Sequence, residues 1–450
     1  MLDRFTQYIA EQHLVPPGGK VLLAVSGGRD SVCMAHLFHR AHIPFAIAHC
    51  NFNLRPGDCD RDQEFVRRLA EHYGAEFFTT SFDTRAVAAS TGESIEEAAR
   101  RLRYQYFAQL LKQSNNQTIE QWVVATAHHR DDSIETFFLN LFRGTGISGL
   151  HGIRPLSTQT IRQSGNQAIT VIRPLLCFSR SEIDDYIRRH QLSYVEDCTN
   201  LSLEHRRNRI RLQLMPLLRE LYPSIDTTMA ANIERFAQVE EIYDRTVAEM
   251  TARVGHMEQS PFGFKYHWYH ISELLSLSPC DTLLFELLRP YGFSSTAVGD
   301  IISALSSAQT GARFLSQTHI ALIDRDRLIV ARYPLPASEP KIEISPVPLT
   351  DVSREHVEHI DADLVRQPLT LRPWRPGDRF CPLGMPHQRR LSDFLKDCKI
   401  SLLEKQRVYV LVDDLGRIVW VVGLRIDHRF RITDNTRRCL RLVVSDWGTC

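Results

Sequence analysis

The chain has 450 residues, of which 43% are hydrophobic and 24% charged, and its formal net charge is +1. This composition is that of a folded protein with sizeable cores rather than a disordered one, and the length suffices for two or three domains. Because the charge is nearly balanced, a surface for nucleic acid would have to come from local basic patches.

Cysteine usage and hydropathy point to a reducing, aqueous compartment. None of the ten cysteines forms a Cys-x-x-Cys pair, which argues against a zinc ribbon, an iron–sulfur site or a thioredoxin-like centre. No apolar run approaches the roughly 18 residues that a membrane span needs, and the charged N-terminal segment favours an amphipathic helix over a secretory signal. We therefore predict a cytoplasmic protein with free thiols and no membrane association.

Strands and helices alternate over residues 20–200. The pattern predicts strands over 20–26, 44–50, 75–80 and 121–127, and helices over 30–41, 61–74, 94–111 and 131–144. Short apolar strands separated by helices indicate an α/β domain with a parallel sheet built from right-handed crossovers. Such sheets place their ligand sites at the carboxyl ends of the strands.

The rest of the chain changes character twice. Residues 207–310 show helical spacing, whereas two hairpins are predicted farther on, turning at Asp324–Asp326 and at Asp413–Gly416. The proline-rich stretch 334–348 is the candidate linker. We predict an α/β domain over 1–215, a mostly helical middle domain over 216–345, and a small α+β domain over 346–450.

The strongest chemical signal is a glycine loop between the first predicted strand and the helix that follows it. Two glycines allow a phosphate chain to approach backbone N–H groups, and the helix N-terminus adds partial positive charge. Asp30 would hold Mg²⁺ or position a nucleophile there. The alternative is a plain glycine turn in which Asp30 and Ser31 cap the helix. The loop residues predicted to bind ATP are Ser26, Gly27, Gly28, Arg29, Asp30 and Ser31.

This Ser-Gly-Gly-x-Asp-Ser loop resembles the pyrophosphate loop of the N-type ATP pyrophosphatases, and it is not a Walker A motif. The resemblance implies a PP-loop domain of the adenine nucleotide α-hydrolase-like fold. It also implies cleavage of ATP between the α- and β-phosphates and transfer of AMP to an oxygen. That transfer activates the adjoining carbon for a nitrogen or sulfur nucleophile.

Three further segments of the α/β domain resemble motifs of the tRNA-isoleucine lysidine synthetases, a branch of that family. The first follows the second strand and carries His49 and Arg55, but Phe52 and Asn53 stand where the family has a second histidine. The resemblance implies an ATP contact for His49. The alternative is a strand-end histidine satisfied by the backbone.

The second of these segments is a predicted helix. Ser94 and Glu97 form a capping box, whereas Arg100 and Arg103 share one face with Glu96. Two arginines near a phosphate loop suit a triphosphate or an RNA backbone. The alternative is a solvated charged face, and the match to the family's helix favours an ATP-site role for Arg100.

The third segment lies at a strand end and begins a helix. The resemblance implies that His128 stabilises charge on the α-phosphate and that Asp131 holds Mg²⁺ or the incoming ammonium group. Asp132 and Glu135 suit helix capping, so we expect them to be mainly structural. The glycine-rich loop after that helix, which contains Gly146, would form a wall of the nucleotide site.

A basic run follows at residues 206–211, within a stretch that also resembles the lysidine synthetases. It lies where RNA phosphate could be neutralised, and the alternative is a basic helix face that packs on the acidic segment before it. We favour a catalytic role for Arg206 and an RNA contact for Arg209. Both readings stay open for Arg207 and Arg211.

The C-terminal stretch 370–445 resembles the small terminal domain of the same family and is rich in arginine. Trp374, Phe380 and Phe394 lie among the arginines, a composition suited to phosphate contact and base stacking. Aromatic residues of a small β domain are more often core, so we expect Phe394 and Trp420 to be buried. The predicted RNA contacts are Arg375, Arg379 and Arg425.

The resemblance implies a particular reaction. The substrate would be the isoleucine tRNA with a CAU anticodon, whose wobble cytidine O2 attacks ATP and releases pyrophosphate. Free L-lysine would then attack C2 through its ε-amine and expel AMP, with Mg²⁺ held by Asp30 and Asp131. Asp30, Asp131 and His128 are alternative acceptors for the amine proton, and a homodimer is left open.

Two other functions remain alternatives. A tRNA thiolase of the same family would commonly carry Cys-x-x-Cys pairs or a catalytic cysteine near the loop, whereas Cys33 and Cys50 are lone cysteines in apolar surroundings. A catalytically inactive tRNA-binding protein would keep RNA affinity without ATP turnover. The presence of Asp30, His128 and Asp131 argues against it.

Overall fold

The structure is a computed structural model that describes residues 1–54, 58–115, 122–161, 167–196, 206–335, 339–348 and 358–447. The chain divides into two compact units, Met1–Ile242 and Tyr243–Cys450, which are described separately below. Arg55 lies outside the described residues. The domain boundaries predicted at 215/216 and 345/346 stay predictions.

The first unit is built on a six-stranded sheet. Its strands are β1 (Lys20–Ala24), β2 (Phe45–Asn51), β3 (Glu76–Ser81), β4 (Trp122–Ala125), β5 (Leu156–Ile161) and β6 (Gln167–Ile172). They follow the order β3-β2-β1-β4-β6-β5, and every neighbouring pair is parallel except β5–β6. The predicted parallel α/β sheet is therefore confirmed. The antiparallel edge strand β5 was not predicted, because its sequence LSTQTI is mostly polar.

Ten helices belong to the described part of this unit or begin in it. They are α1 (Leu2–Glu11), α2 (Arg29–Arg40), α3 (Asp58–Tyr73), α4 (Thr84–Thr91), α5 (Ile95–Asn115), α6 (Arg130–Arg143), α7 (Arg180–Arg189), α8 (Arg206–Arg209), α9 (Met215–Leu221) and α10 (Ile225–Val254). A π-helical segment, Ile210–Leu214, joins α8 to α9. The N-terminal helix and the four helices predicted between the strands are confirmed.

Helices cover both faces of the sheet, which explains the continuous apolar runs of its central strands. On β1, Val21 and Leu23 pack in one core with α2, whereas Leu22 between them packs in a second core with α5. All three side chains are buried. Because side chains alternate between the faces of a strand, the three central positions of β1 all need apolar residues. Its carboxyl end is then fixed beside the glycine loop that follows.

The second unit contains antiparallel sheets and short helices. Its first sheet has the order β7-β8-β11-β10-β9, from strands β7 (His256–Gln259), β8 (Lys265–His270), β9 (Arg313–Leu315), β10 (His319–Asp324) and β11 (Arg327–Arg332). The helices are α11 (Ile271–Leu275), α12 (Cys280–Leu288), α13 (Ser295–Ser306) and α14 (Leu391–Asp397). The hairpin predicted at Asp324–Asp326 is confirmed, since Asp324 pairs with Arg327. The β7–β8 hairpin lies inside the stretch predicted as helical.

The remaining strands form three small sheets. They are β12 (Lys341–Val347), β13 (Glu358–Asp361), β14 (Thr370–Pro373), β15 (Arg379–Phe380), β16 (Arg389–Arg390), β17 (Tyr409–Val412), β18 (Ile418–Val421), β19 (Arg425–Ile426) and β20 (Cys439–Asp446). The sheets are β12-β20-β13, β14-β17-β18-β19 and β15-β16. The hairpin predicted at Asp413–Gly416 is confirmed.

The linker predicted at 334–348 is wrong for the part that forms β12, which pairs with β20 from Lys341 to Val347. The alternation of Ile342 and Ile344 with charged residues supports a strand there. Pro346 is tolerated because β12 lies at the edge of its sheet. Proline content alone therefore misled the prediction.

The aromatic residues of the terminal stretch are mainly core. Phe394 and Trp420 are 7% and 2% exposed, as predicted. Phe380 is completely buried and packs edge-on against Phe394. Trp374 is half-buried and donates its Nε1–H to the Lys405 carbonyl at 2.7 Å. Base stacking on Phe380 or Phe394 is thereby excluded in this arrangement, because their ring faces are covered.

None of the described helices has the length and apolar character required to cross a membrane. The described cysteines are free thiols: Cys33, Cys50, Cys177, Cys280, Cys381, Cys398 and Cys439.

Candidate active site

The glycine loop connects the end of β1 to the beginning of α2. Gly27 has a φ of 91°, a backbone conformation that side chains rarely adopt, and a Cβ there would also contact Val66 at 3.4 Å. Gly28 is the N-cap of α2 and supplies no side chain to its first amides. The Ser31 hydroxyl donates to the Gly28 carbonyl at 2.8 Å. The α2 N-terminus therefore keeps the uncapped N–H groups that an anion requires.

A cavity of about 820 Å³, which we call the phosphate cavity because the glycine loop lines it, opens at the carboxyl ends of β1, β2 and β4. Its size lies within the range of pockets that hold nucleotide-sized ligands. The walls combine loop, strand-end and helix residues, including Ser26, Gly28, Arg29, Asp30, Ser31, Arg103, His128, Arg180, Tyr194 and Arg211. Five of the six loop residues predicted from the sequence therefore line one cavity, and Gly27 shapes the turn.

Asp30 lies in the first turn of α2 and faces this cavity. Its Oδ1 has no hydrogen-bond partner among the described residues. Burial raises the pKa of Asp30, and this effect together with nearby Asp132 outweighs the opposing influence of His129 and Arg180. A buried carboxylate oxygen without a protein partner is the arrangement expected where a cation binds.

A buried histidine, His129, lies within 4 Å of three carboxylates, those of Asp30, Asp131 and Asp132. His129 is 1% exposed, and its Nε2 lies 3.5 Å from Asp132 and 3.9 Å from Asp30. Its Nδ1 lies 3.9 Å from Asp131 and accepts a hydrogen bond from the Asp132 amide at 3.4 Å. His129 is thus the N-cap of α6. The sequence analysis missed this residue, although its place directly before an acidic helix start is the position of a cap.

Asp131 is engaged on both oxygens. Oδ2 accepts a hydrogen bond from the Arg180 amide at 2.9 Å, and Oδ1 pairs with Arg219 at 2.9 Å. The Arg180 amide is the first of α7, so Asp131 ties that helix to the beginning of α6. The side chain of Arg180 lines the phosphate cavity.

Asp132 and Glu135 form a network with two arginines. Arg207 contacts Asp132 at 3.0 Å and Glu135 at 2.8 Å, and Arg211 contacts the same carboxylates at 3.1 and 2.6 Å. Burial alone would raise the pKa of Asp132, but His129 and Arg207 lower it to about 2. The expected Asp132–Glu135 capping pair is wrong: the capping box joins His129 and Asp132. Glu135 instead binds the arginines.

The π-helical segment carries part of the cavity wall. Arg211 and Leu212 belong to Ile210–Leu214 and line the cavity. π-Helical turns inside longer helices occur frequently at functional sites, because they redirect side chains relative to the regular helix. Arg207 and Arg211 pack on the acidic residues Asp132 and Glu135 of α6, whereas residues 197–205 before the basic run lie outside the described part of the chain.

His128 borders two cavities, the phosphate cavity and a smaller one beside it. Its Nδ1 lies 2.9 Å from the Thr126 hydroxyl. Burial lowers the pKa of His128 to about 4, and nearby Arg173, Arg207 and Arg100 add to this effect. The imidazole is therefore neutral at neutral pH. In the tautomer whose Nδ1 accepts from the Thr126 hydroxyl, Nε2 carries the proton and can act as a hydrogen-bond donor.

The other predicted residues of this unit lie in varied surroundings. His49 is buried, and its Nδ1 lies 2.9 Å from the Val25 carbonyl, which corresponds to the strand-end alternative. It is not among the described residues that line the phosphate cavity. Arg100 is exposed, stacks on Tyr104 at 5.1 Å and lines the smaller cavity. Gly146 is exposed as the N-cap of a short 3-10 helix.

Arginines predicted to contact RNA are at the surface of each unit. Arg209 lies on α8 and is exposed. Arg206, for which we predicted a catalytic role, is exposed on the same helix and is not among the described residues that line the phosphate cavity. In the second unit the exposed members of this set are Arg375, Arg379 and Arg425. The turn that carries Arg375 is fixed by Asp378, which accepts the Arg375 amide at 2.8 Å and pairs with Arg372 at 2.9 Å. Their accessibility agrees with a role in binding a phosphate backbone.

A parallel sheet whose first strand leads through an uncapped glycine loop into a helix, with an unpartnered aspartate beside the loop, defines a PP-loop nucleotide-binding protein. The family model described as "PP-loop domain" matches residues 2–218. Models described as "TilS substrate binding domain" and "TilS substrate C-terminal domain" match residues 261–334 and 369–444.

Similar proteins cover nearly the whole chain. A tRNA(Ile)-lysidine synthase of Bacteroides thetaiotaomicron is 37% identical over 97% of this chain and 98% of the relative. One of Parabacteroides distasonis is 36% identical over 98% and 99%, and one of Dehalococcoides mccartyi is 31% identical over 98% and 98%. The chain belongs to the tRNA(Ile)-lysidine synthase family. Members of this family are ligases that form a C–N bond and act on tRNA.

Proposed function

We propose that this protein converts the wobble cytidine of the isoleucine tRNA with a CAU anticodon into lysidine. ATP adenylates the cytidine O2, pyrophosphate leaves, and the ε-amine of free L-lysine then displaces AMP from C2. The observation that carries the proposal is the Oδ1 of Asp30, which has no hydrogen-bond partner among the described residues, beside the uncapped N-terminus of α2 in a chain of the lysidine synthase family.

The phosphate cavity supplies hydrogen-bond donors and a positive charge for the phosphates of ATP, which an adenylation reaction requires. The first amides of α2 and the hydroxyls of Ser26 and Ser31 are donors for phosphate oxygens. Arg180 lines the same cavity and places a positive charge near them. Arg29 pairs with Asp184 and lies 5.4 Å from the Tyr194 ring, so its main role is to shape the wall. These fixed donors would therefore stabilise the negative charge that develops on pyrophosphate as it leaves.

Mg²⁺ belongs to the proposal as the counterion of the phosphates. The unpartnered Oδ1 of Asp30 suits a hard cation, and the carboxylate lines the phosphate cavity. Both oxygens of Asp131 already have protein partners, so Asp131 is a ligand only if one of those contacts opens. When bound, Mg²⁺ would neutralise phosphate charge and favour departure of pyrophosphate.

His128 acts as a neutral donor in this proposal. A pKa of about 4 makes the imidazole a weak base toward an alkylammonium group, whose pKa is far higher. Its Nε2–H can instead stabilise charge on the α-phosphate or on the cytidine oxygen that is attached to it. Asp30 and Asp131 then remain as candidate acceptors for the amine proton.

The tRNA is bound by both units in this proposal. The predicted RNA contacts are exposed: Arg209 of the first unit, and Arg375, Arg379 and Arg425 of the second. They would neutralise backbone phosphates and so position the anticodon, while the target base leaves its stack to reach the first cavity. The cytoplasmic location and the homodimer considered from the sequence stay predictions.

Thiolation is the second candidate function, and the cysteines disfavour it. Cys50 lines the phosphate cavity, but burial raises the pKa of its thiol to about 12. Burial also raises the pKa of Cys33, which is completely buried. A thiol in such surroundings is protonated at neutral pH, and the thiolate is the reactive form.

The test measures AMP, pyrophosphate and RNA-bound label together. Purified protein is incubated with ATP, Mg²⁺, labelled lysine and an unmodified tRNA-Ile transcript with the CAU anticodon. The proposal predicts label in RNA and equal amounts of AMP, both abolished in Asp30→Ala and with uridine at the wobble position. ATP cleavage to AMP without lysine incorporation would favour the thiolase instead. Absence of both from folded wild-type protein would contradict the enzymatic proposal.

A further inference from the structure

The smaller cavity beside His128 is a basic site that the proposed chemistry does not use. It has a volume of about 360 Å³, and we call it the arginine cavity because Arg100, Arg154, Arg173 and Arg207 line it. His128 lines both this cavity and the phosphate cavity, so the two are separated by about one side chain. Arg100 and Arg154 are at least partly exposed, which leaves the arginine cavity accessible to a ligand.

The charges in the arginine cavity do not balance. Arg154 pairs with Glu240, and Arg207 pairs with Asp132 and Glu135. Arg173 and Arg100 have no carboxylate within ion-pair distance in the part of the chain that the structure describes. Arg173 is only 6% exposed and donates to the Arg154 carbonyl at 2.8 Å. Burying a guanidinium group without a counter-ion costs free energy, because the charged form loses its hydration. Burial accordingly lowers the pKa of Arg173.

Polar atoms without partners occur in the same cavity wall. The Nε of Arg173, the hydroxyl of Ser157 and the Nδ1 of His151 are buried and make no hydrogen bond among the described residues. Buried polar atoms in native proteins are nearly always paired, so three on residues around one cavity indicate a missing partner. The guanidinium groups of Arg100 and Arg173, which lack a carboxylate among the described residues, favour an anion as this partner.

We propose that the arginine cavity binds a phosphate group of the RNA strand that carries the target base. The inference rests on the proposed function. A guanidinium pair matches phosphate oxygens, and free lysine is disfavoured here because it carries a net positive charge. The phosphates of ATP have the uncapped loop instead. If the phosphate of a nucleotide lies in the arginine cavity, its base can reach past His128 into the phosphate cavity, because only the sugar separates the base from the phosphate.

The test compares the binding of an anticodon stem–loop RNA to full-length variants in the absence of ATP. Arg100→Ala removes an exposed cation, so it should leave the fold intact, and Ser157→Ala is a second, small change. Arg100→Ala should raise the Kd about tenfold. It should also reduce the slope of log Kd against log salt concentration by about 0.7, as expected for the loss of one phosphate contact. Arg85→Ala is the matched control, an exposed helical arginine that lines neither cavity.

Inhibition by inorganic pyrophosphate distinguishes the other source of phosphate. The proposal predicts that Arg100→Ala leaves inhibition by pyrophosphate unchanged while RNA binding weakens. If pyrophosphate inhibition weakens and RNA binding does not, the cavity holds the product and the RNA assignment is overturned. If neither changes, the cavity is no phosphate site. Failure of the proposed function is distinguishable from these outcomes, because it would show as wild-type protein that binds RNA without incorporating lysine.

Discussion

Asp131 accepts a hydrogen bond from the backbone amide of Arg180 at 2.9 Å and thereby joins the beginnings of α6 and α7. The same carboxylate pairs with Arg219 at 2.9 Å, so neither of its oxygens is without a protein partner. In this arrangement Asp131 holds the first residue of α7 in place, and that residue, Arg180, lines the phosphate cavity.

Replacement of Asp131 tests this role. Asp131→Ala should lower the free energy of unfolding by about 1–3 kcal/mol, because a helix-start amide and a guanidinium lose their acceptor. Asp131→Asn should cost less, since one oxygen remains. Urea unfolding measures both changes, with Asp226→Ala as control because it removes only the other partner of Arg219. A large rise in the Mg²⁺ requirement of Asp131→Asn at unchanged stability would identify a metal ligand instead.

Asp30→Asn should abolish ATP cleavage and yet stabilise the protein at neutral pH. Burial raises the pKa of Asp30 above its ordinary value of 3.8, so the folded state binds the proton more tightly than the unfolded state. The penalty of the charged form is absent below that ordinary value and grows as pH rises through the folded-state pKa. The melting temperature of Asp30→Asn should therefore exceed that of wild type at pH 7 but not at pH 3. Equal differences at both pH values would contradict this cause.

His128 should act without a change of its own charge near neutral pH. Its pKa of about 4 predicts no inflection from this residue between pH 6 and 8 in kcat/KM for tRNA. His128→Ala should lower kcat/KM by about 10²–10³-fold, the usual effect of losing one transition-state donor. His128→Gln keeps an N–H donor and should recover part of that loss. If kcat/KM of His128→Gln is as low as that of His128→Ala, and the wild-type pH profile shows an inflection near pH 6.5, a charged imidazole is required.

The buried ion network should contribute strongly to the stability of the first unit. Glu135 is 2% exposed and contacts both Arg207 and Arg211. Glu135→Ala leaves two guanidinium groups short of a partner and should cost about 3–5 kcal/mol of unfolding free energy. Glu96→Ala on an exposed face of α5 is the control and should change stability by less than about 0.5 kcal/mol. Equal effects of the two variants would mean that the network is solvated.

The features that the sequence predicted are those determined by short segments. The loop Ser26–Ser31, the parallel strands before and after it, and both predicted hairpins follow from local turn chemistry and apolar periodicity. The capping box at Ser94 and Glu97 is another local feature, confirmed by the Glu97 amide donating to the Ser94 hydroxyl at 3.2 Å. Such patterns depend on residues within a few positions of one another.

Contacts between distant segments could not be predicted in the same way. Asp131 and Arg180 are 49 residues apart, and Glu135 and Arg207 are 72 apart. Their side chains meet only because the sheet brings α6, α7 and α8 together, and no local pattern encodes that approach. The arginine cavity is a similar case, since its basic residues come from α5, the ends of β5 and β6, and α8.

The central claim is that lysine is joined to the wobble cytidine, and nucleoside analysis of the product tests it most directly. After incubation with ATP, Mg²⁺ and isotope-labelled lysine, the tRNA is digested and its nucleosides are identified by mass spectrometry. We predict a lysine-conjugated cytidine from the wobble position, formed only with ATP and absent in Asp30→Ala. Label found as an alkali-labile ester at the 3′ end, or a wobble cytidine that stays unmodified while AMP accumulates, would contradict the account.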